Sequence, residues 1–262
     1  MKRIATWAAT LAAATTVSMA TDFWLGVFAK DTGFTNQAYS TSKSLPKLKR
    51  KIERQWKKGF DVIDISYGHD VWMALYAKGT GYKKQLYMHR RDIAEYKRDV
   101  EAYKQKGFEI VNVEYGAGEW IAILAQGGQW KDTRFAYTRY FEDFEATIED
   151  YWKKGYMLVD VEAGEGYWAG IFAKGTGFKN QAYDVIDDWE DVPSQIKARW
   201  REGYRIVNIE YTAAEWFIIY AQLPKARDEL FANNEDIEDF AKTIRKYWKE
   251  GYYLIDLADG RD

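Results

Sequence analysis

Trp24-Leu25-Gly26-Val27-Phe28-Ala29-Lys30 returns further along the chain as Trp168-Ala169-Gly170-Ile171-Phe172-Ala173-Lys174, and the distance between the copies decides the fold. Trp24, Trp72, Trp120, Trp168 and Trp216 stand at a constant interval of 48 residues. Gly59, Gly107, Gly155, Gly203 and Gly251 keep the same interval, and each precedes Phe or Tyr. No insertion breaks the period, so each unit must meet its neighbours in the same way, as in repeat architectures generally.

Within one unit the pattern predicts four parts. Trp24 to Lys30 reads as a strand, with Leu25, Val27 and Ala29 on one face and Trp24, Gly26, Phe28 and Lys30 on the other. A turn over residues 31–37 follows, in which Gly33 supplies a positive φ, and a short second strand near Ala38-Tyr39 is expected to complete a hairpin with the first. A helix comes next. Its buried face is marked by Leu48, Ile52 and Trp56, and again by Phe144, Ile148, Trp152 and by Phe240, Ile244, Trp248. Lys57 and Lys58 suit the negative end of that helix, and Gly59 is placed as the left-handed residue that stops it. The last strand, residues 60–67, is β-branched and alternating, and the short turn after it forces antiparallel pairing with the next unit's first strand.

The expected class is therefore α+β: five tandem ββαβ units beginning at residues 24, 72, 120, 168 and 216, in one domain over residues 21–262. One unit cannot bury its helix face alone. A closed five-fold αβ-propeller satisfies all units, and an open superhelical array is the alternative. Lack of a polar capping unit favours closure. The element order resembles the αβ-propeller of the pentein group, without the catalytic cysteine of its enzymes. The motif Trp-x-x-x-Phe/Tyr-Ala-Lys-Gly-Thr-Gly-Phe/Tyr, followed by Gln-x-Tyr and Trp-Lys-Lys-Gly-Tyr, resembles a repeat found C-terminal to the kinase domain in plant casein-kinase-1-like kinases. Its turn stands here as Gly79-Thr80-Gly81-Tyr82 and Gly175-Thr176-Gly177-Phe178. That resemblance covers residues 24–262 and implies a non-catalytic interaction module.

Composition removes several functions. The chain has no cysteine, which excludes a disulfide framework, thiolate catalysis and Cys-bound metals. Its 38 basic and 40 acidic side chains are interspersed and leave no basic stripe for phosphates, so nucleic acid is not an expected partner. His69 and His89 are the only histidines, and His69-Asp70 occurs in a single copy, more in keeping with surface polarity than with half of a catalytic triad. Residues 1–20 start with Met1-Lys2-Arg3, continue small and apolar, and end in Ser18-Met19-Ala20, the layout of a signal peptide; a degenerate piece of a sixth repeat is the competing reading. The first implies a secreted or periplasmic protein. No other stretch reaches the roughly 18 apolar residues of a membrane span.

Candidate sites come from positions compared across copies. The turns of units one, two and four share a Thr and a Gln, Thr32 with Gln37, Thr80 with Gln85 and Thr176 with Gln181, whereas units three and five read Gly127-Gly-Gln-Trp130 and Leu223-Pro-Lys-Ala226. Copy-by-copy decay suits a binding loop, although Thr-Gly is also ordinary turn chemistry. Gly-Thr-Gly lacks what a phosphate loop needs. The strand tryptophans, beside Lys30, Lys78, Gln126, Lys174 and Gln222, suit sugar stacking on one reading and packing between units on the commoner one. Asp64, Asn112, Asp160, Asn208 and Asp256 share one position in the last strand. They suit a channel lining, a cation site, or most simply acceptors for neighbouring backbone. No metal and no cofactor is assigned. The expected function is a non-enzymatic, exported binding protein for a protein or surface glycan, its oligomeric state open; the alternatives are a carboxylate-dependent glycan-acting enzyme and a purely structural oligomer subunit.

Overall fold

The computed structural model describes residues 21–128 and 130–262, so the signal-peptide reading of residues 1–20 lies outside the described residues. The described residues are α+β, built of five three-stranded antiparallel sheets and five helices. The opening elements are β1 (Asp22–Ala29), β2 (Asn36–Ser42), α1 (Leu45–Trp56) and β3 (Asp61–Gly68). The second unit supplies β4 (Val71–Lys78), β5 (Tyr82–Arg90), α2 (Ile93–Lys104) and β6 (Glu109–Gly116). The third gives β7 (Glu119–Gly127), β8 (Lys131–Thr138), α3 (Phe141–Lys153) and β9 (Met157–Gly164). The fourth gives β10 (Tyr167–Lys174), β11 (Gln181–Ile186), α4 (Val192–Arg201) and β12 (Arg205–Thr212). The last comprises β13 (Glu215–Ala221), β14 (Glu229–Asn234), α5 (Ile237–Lys249) and β15 (Tyr253–Arg261).

The expected hairpin between the first two strands of a unit does not form. β2 pairs with β4, the first strand of the next unit, and β4 pairs on its other side with β3. Each tryptophan strand is thus the centre of the preceding unit's sheet, flanked on both edges. A central strand covered on both faces has no reason to alternate, and Trp24 through Ala29 are all buried. The sequence unit and the structural unit are offset by one strand. As a result β1 lies between β14 and β15, the second and third strands of the last unit.

The predicted antiparallel pairing of each last strand with the next Trp strand is present, and its turn chemistry is specific. His69-Asp70, Ala117-Gly118, Glu165-Gly166 and Ala213-Ala214 all have positive φ at both residues, the type I′ geometry that matches strand twist. His69-Asp70 is such a turn. The helix-stopping glycines Gly59, Gly107, Gly155, Gly203 and Gly251 are left-handed, with φ between 74° and 84°.

Each helix is sandwiched between two sheets. Leu48 and Ile52 of α1 pack with Trp72, Ala74 and Tyr76 on one side and Ile121 and Ile123 on the other. The same layering recurs at α2 (Tyr96 and Val100), with Trp120 facing Ala169 and Ile171, and at α3 (Phe144 and Ile148), with Trp168 facing Phe217 and Ile219. At α4, Val192 and Ile196 lie among Trp216, Ile218, Leu25 and Val27, and at α5, Phe240 and Ile244 lie among Trp24, Phe28, Met73 and Leu75. The five repeat-start tryptophans are core residues, at most 8% exposed. The packing reading of that row is the one observed.

Candidate functional site

The last strand of each unit carries one irregularity that positions everything else. Register shifts leave Ile63, Val111, Val159, Val207 and Ile255 without a partner on the central strand. These are β-bulges. An alternating strand sends neighbours to opposite faces, whereas a bulge re-aims one of them. Here it lets two successive residues, Ile63 with Asp64 and their four equivalents, line the same cavity of about 500 Å³. The expectation of simple alternation over residues 60–67 misses this.

The polar row is a belt of backbone acceptors between sheets. Val113 N–H donates to Asp160 Oδ2 (2.9 Å), Val161 N–H to Asn208 Oδ1 (3.3 Å) and Ile209 N–H to Asp256 Oδ2 (2.7 Å). Leu257 N–H donates to Asp64 Oδ2 (2.8 Å), which joins the last unit to the first. Asn112 Nδ2 donates to Asp64 Oδ1 (3.0 Å) and Asp160 Oδ2 (3.4 Å), and Asn208 Nδ2 to Asp256 Oδ1 (3.3 Å). Asn alternates with Asp because an amide donor between two carboxylates relieves their repulsion. Five positions cannot alternate fully, so Asp256 and Asp64 are neighbours without an amide between them. Burial pushes both carboxyls well above the ordinary range, helped by the charge of Asp160 on Asp64 and of Asp64 on Asp256. Burial does the same to Asp160.

The turns form the mouth. Phe34, Tyr82, Trp130 and Phe178 occupy one repeat position and all line the cavity; the fifth unit has Ala226 there, followed by Arg227. Reading Gly127-Gly-Gln-Trp130 as a lost motif hid the fact that its aromatic stands in register with the others. The interval of 48 residues was the available signal. Four polar atoms of the lining residues have no hydrogen-bond partner among the described residues: Asn112 Oδ1, Asp160 Oδ1, Trp130 Nε1 and Arg227 Nε.

Of the residues singled out in the sequence, Thr32, Thr80 and Thr176 line this cavity. Each hydroxyl oxygen accepts the N–H two residues on, from Phe34 (3.2 Å), Tyr82 (3.2 Å) and Phe178 (3.3 Å), which fixes the turn that presents the aromatic. Gln37, Gln85 and Gln181 are elsewhere. Gln85 Oε1 accepts from Trp56 Nε1 (2.8 Å) and Val62 N (2.8 Å), and its Nε2 donates to Val62 O (2.7 Å). Gln181 repeats the clamp on Trp152 and Leu158, and Gln37 repeats it on Trp248 and Leu254. In the divergent units Thr133 and Glu229 hold the equivalent strand N–H groups of Ile110 and Ile206. The glutamines tie the end of a helix to the strand after it.

A Gln85→Ala variant should therefore lose stability. Three backbone or indole groups lose their partner at once; a fully buried unsatisfied group costs about 1–3 kcal/mol, and because these are part-buried and water takes up some of the loss, a total of roughly 2–4 kcal/mol is expected. Chemical denaturation is the check; an unchanged midpoint contradicts the clamp.

Fold and cavity together define a class: a tandem-repeat α+β protein with a bulge-lined polar cavity and aromatic turns at its mouth. The chain belongs to the family described as a domain of unknown function (DUF7477), whose model matches residues 84–262. No curated protein matches it.

Proposed function

We propose that the chain is a non-catalytic binding protein that holds a saccharide-sized, polyhydroxylated ligand, such as the end of a glycan, in the cavity. The observation that carries this is the convergence of four equivalent aromatic side chains and the polar Asp/Asn row on one cavity. Sugar rings offer a C–H face for stacking and hydroxyls that both donate and accept. A volume of about 500 Å³ lies in the range of small-ligand sites. The engagement of Asp64, Asp160 and Asp256 with backbone N–H groups supports binding over acid–base catalysis, since each is committed to holding sheets together. The resemblance to repeat regions of plant kinases supports the same reading, and the character of residues 1–20 supports export.

The reading includes ring closure: a five-fold αβ-propeller with the cavity on its axis. Its support is the insertion of β1 between β14 and β15, the α4 layer that joins the fourth and last sheets, and the Leu257-to-Asp64 bond.

Glycan arrays followed by calorimetry with free saccharides test the function. Trp130→Ala is expected to weaken binding about fivefold, since stacking on an aromatic contributes about 1 kcal/mol. Trp130 also packs against two core clusters, so the variant's circular dichroism has to match that of the unmodified chain. Absence of any saccharide ligand sinks the proposal, and hydrolysis of a bound glycan turns the reading to an enzyme.

A further inference from the structure

Two residues beyond the Asp/Asn row, on the same side of their strands, β6, β9 and β12 carry Glu114, Glu162 and Glu210; β3 and β15 have Ser66 and Ala258 there. One carboxylate oxygen from each glutamate lies within 4.8 Å of the other two. All three side chains are buried, at most 6% exposed. Glu114 Oε1 accepts from Tyr67 N (2.8 Å) and Glu162 Oε2 from Tyr115 N (3.2 Å), so the carboxylates are held in place from the neighbouring sheet. Asn208 Nδ2 donates to Glu210 Oε1 (3.3 Å), which puts this group in contact with the Asp/Asn row.

Glu162 Oε1 accepts from Ala163 N (2.6 Å) and Thr212 Oγ1 (2.9 Å), but one oxygen of the cluster is left over. Glu114 Oε2 has no partner, in a residue 3% exposed. A buried acceptor without a donor is costly, and so is a group of buried carboxylates without counter-charge. One cation removes both costs.

We propose that Glu114, Glu162 and Glu210 form a calcium site next to the saccharide cavity. The ligand chemistry is all hard oxygen. Calcium binds oxygen at about 2.3–2.6 Å, so ligands on opposite sides of it stand about 4.8 Å apart and adjacent ones closer. The three oxygens lie within 4.8 Å of one another, inside that limit. Magnesium needs shorter bonds and keeps several waters, which suits an enclosed site less well.

The test uses the full chain stripped with a chelator at pH 7.5 and titrated with calcium chloride alone. Saturable uptake of one calcium ion per chain is expected, with a higher melting temperature in calcium than in chelator. Glu162→Gln should abolish the uptake, and Glu210→Gln serves if that variant does not fold. Asp259→Asn, at a carboxyl outside both the cluster and the cavity, should keep it. The proposal is overturned by no saturable uptake in the unmodified chain, by uptake unchanged in the glutamine variants, or by loss in Asp259→Asn with retention in Glu162→Gln. An unmodified chain whose stability falls as pH rises and is not restored by calcium also overturns it, because the glutamates then hold protons instead.

Discussion

A chain that begins at Asp31 is expected not to fold, and a peptide of residues 21–30 is expected to restore folding when added in trans. β1 is the centre of a sheet whose other strands come from the last unit, so its removal takes away both pairings at once. It also opens two cores. Leu25 and Val27 leave the layer around α4, while Trp24 and Phe28 leave the layer around α5. All four side chains are fully buried, and each such side chain contributes about 1.5–3 kcal/mol by burial. The sum rivals the whole stability of an ordinary domain, about 5–15 kcal/mol. Circular dichroism and denaturant unfolding of the truncated chain, with and without the peptide, give the result. A truncated chain that unfolds cooperatively at the full-length midpoint contradicts both the role of β1 and the closed ring.

The second large effect is on pH dependence. In a chelator, stability should fall as pH rises from about 5 to 8, the reverse of the usual acid sensitivity. Burial pushes the Glu162 carboxyl up to about 7, opposed by its bonds from Thr212 and the backbone of Ala163 and Tyr115. Burial pushes Glu229 up to about 7 against the pull of Arg227, and Asp259 to about 7 with help from Asp22. Glu114 and Glu210 are also raised well above the ordinary range, by burial and then by neighbouring carboxylates. Between the unfolded values near 4 and these folded values, the native state holds more protons than the unfolded one. Raising pH through that window therefore favours unfolding. For Glu162 alone the shift corresponds to an order of 3 kcal/mol, and the coupled groups add to it less than independently. Urea midpoints at pH 5, 6, 7 and 8 are the measurement. Glu162→Gln should flatten the slope, and a midpoint that climbs from pH 5 to 8 contradicts the protonated interior.

The two effects draw on different levels of organisation. Period, element order and helix stops were legible in the chain itself, because identical units force identical environments and a left-handed stop favours glycine wherever it occurs. Gly59 and its four equivalents needed no tertiary information. The burial of the tryptophan row followed from the same logic.

Which strands pair was another matter. The local pattern of β1 and β2 is equally compatible with a hairpin and with separate sheets. Only the stacking of neighbouring units, which needs a central strand flanked on both sides, decides for the second. The bulges at Ile63 and its equivalents were invisible because β-branched residues suit regular and bulged strands alike. Gln37, Gln85 and Gln181 looked like binding residues from their recurrence, yet recurrence also marks a clamp required by repeated geometry. The choice depends on where Trp56, Trp152 and Trp248 point their indole N–H groups. The convergence of Glu114, Glu162 and Glu210, 48 residues apart in sequence and within 4.8 Å in space, belongs wholly to the tertiary structure. A period fixes what each unit is, while the distance between equivalent atoms of different units depends on how the units are packed together.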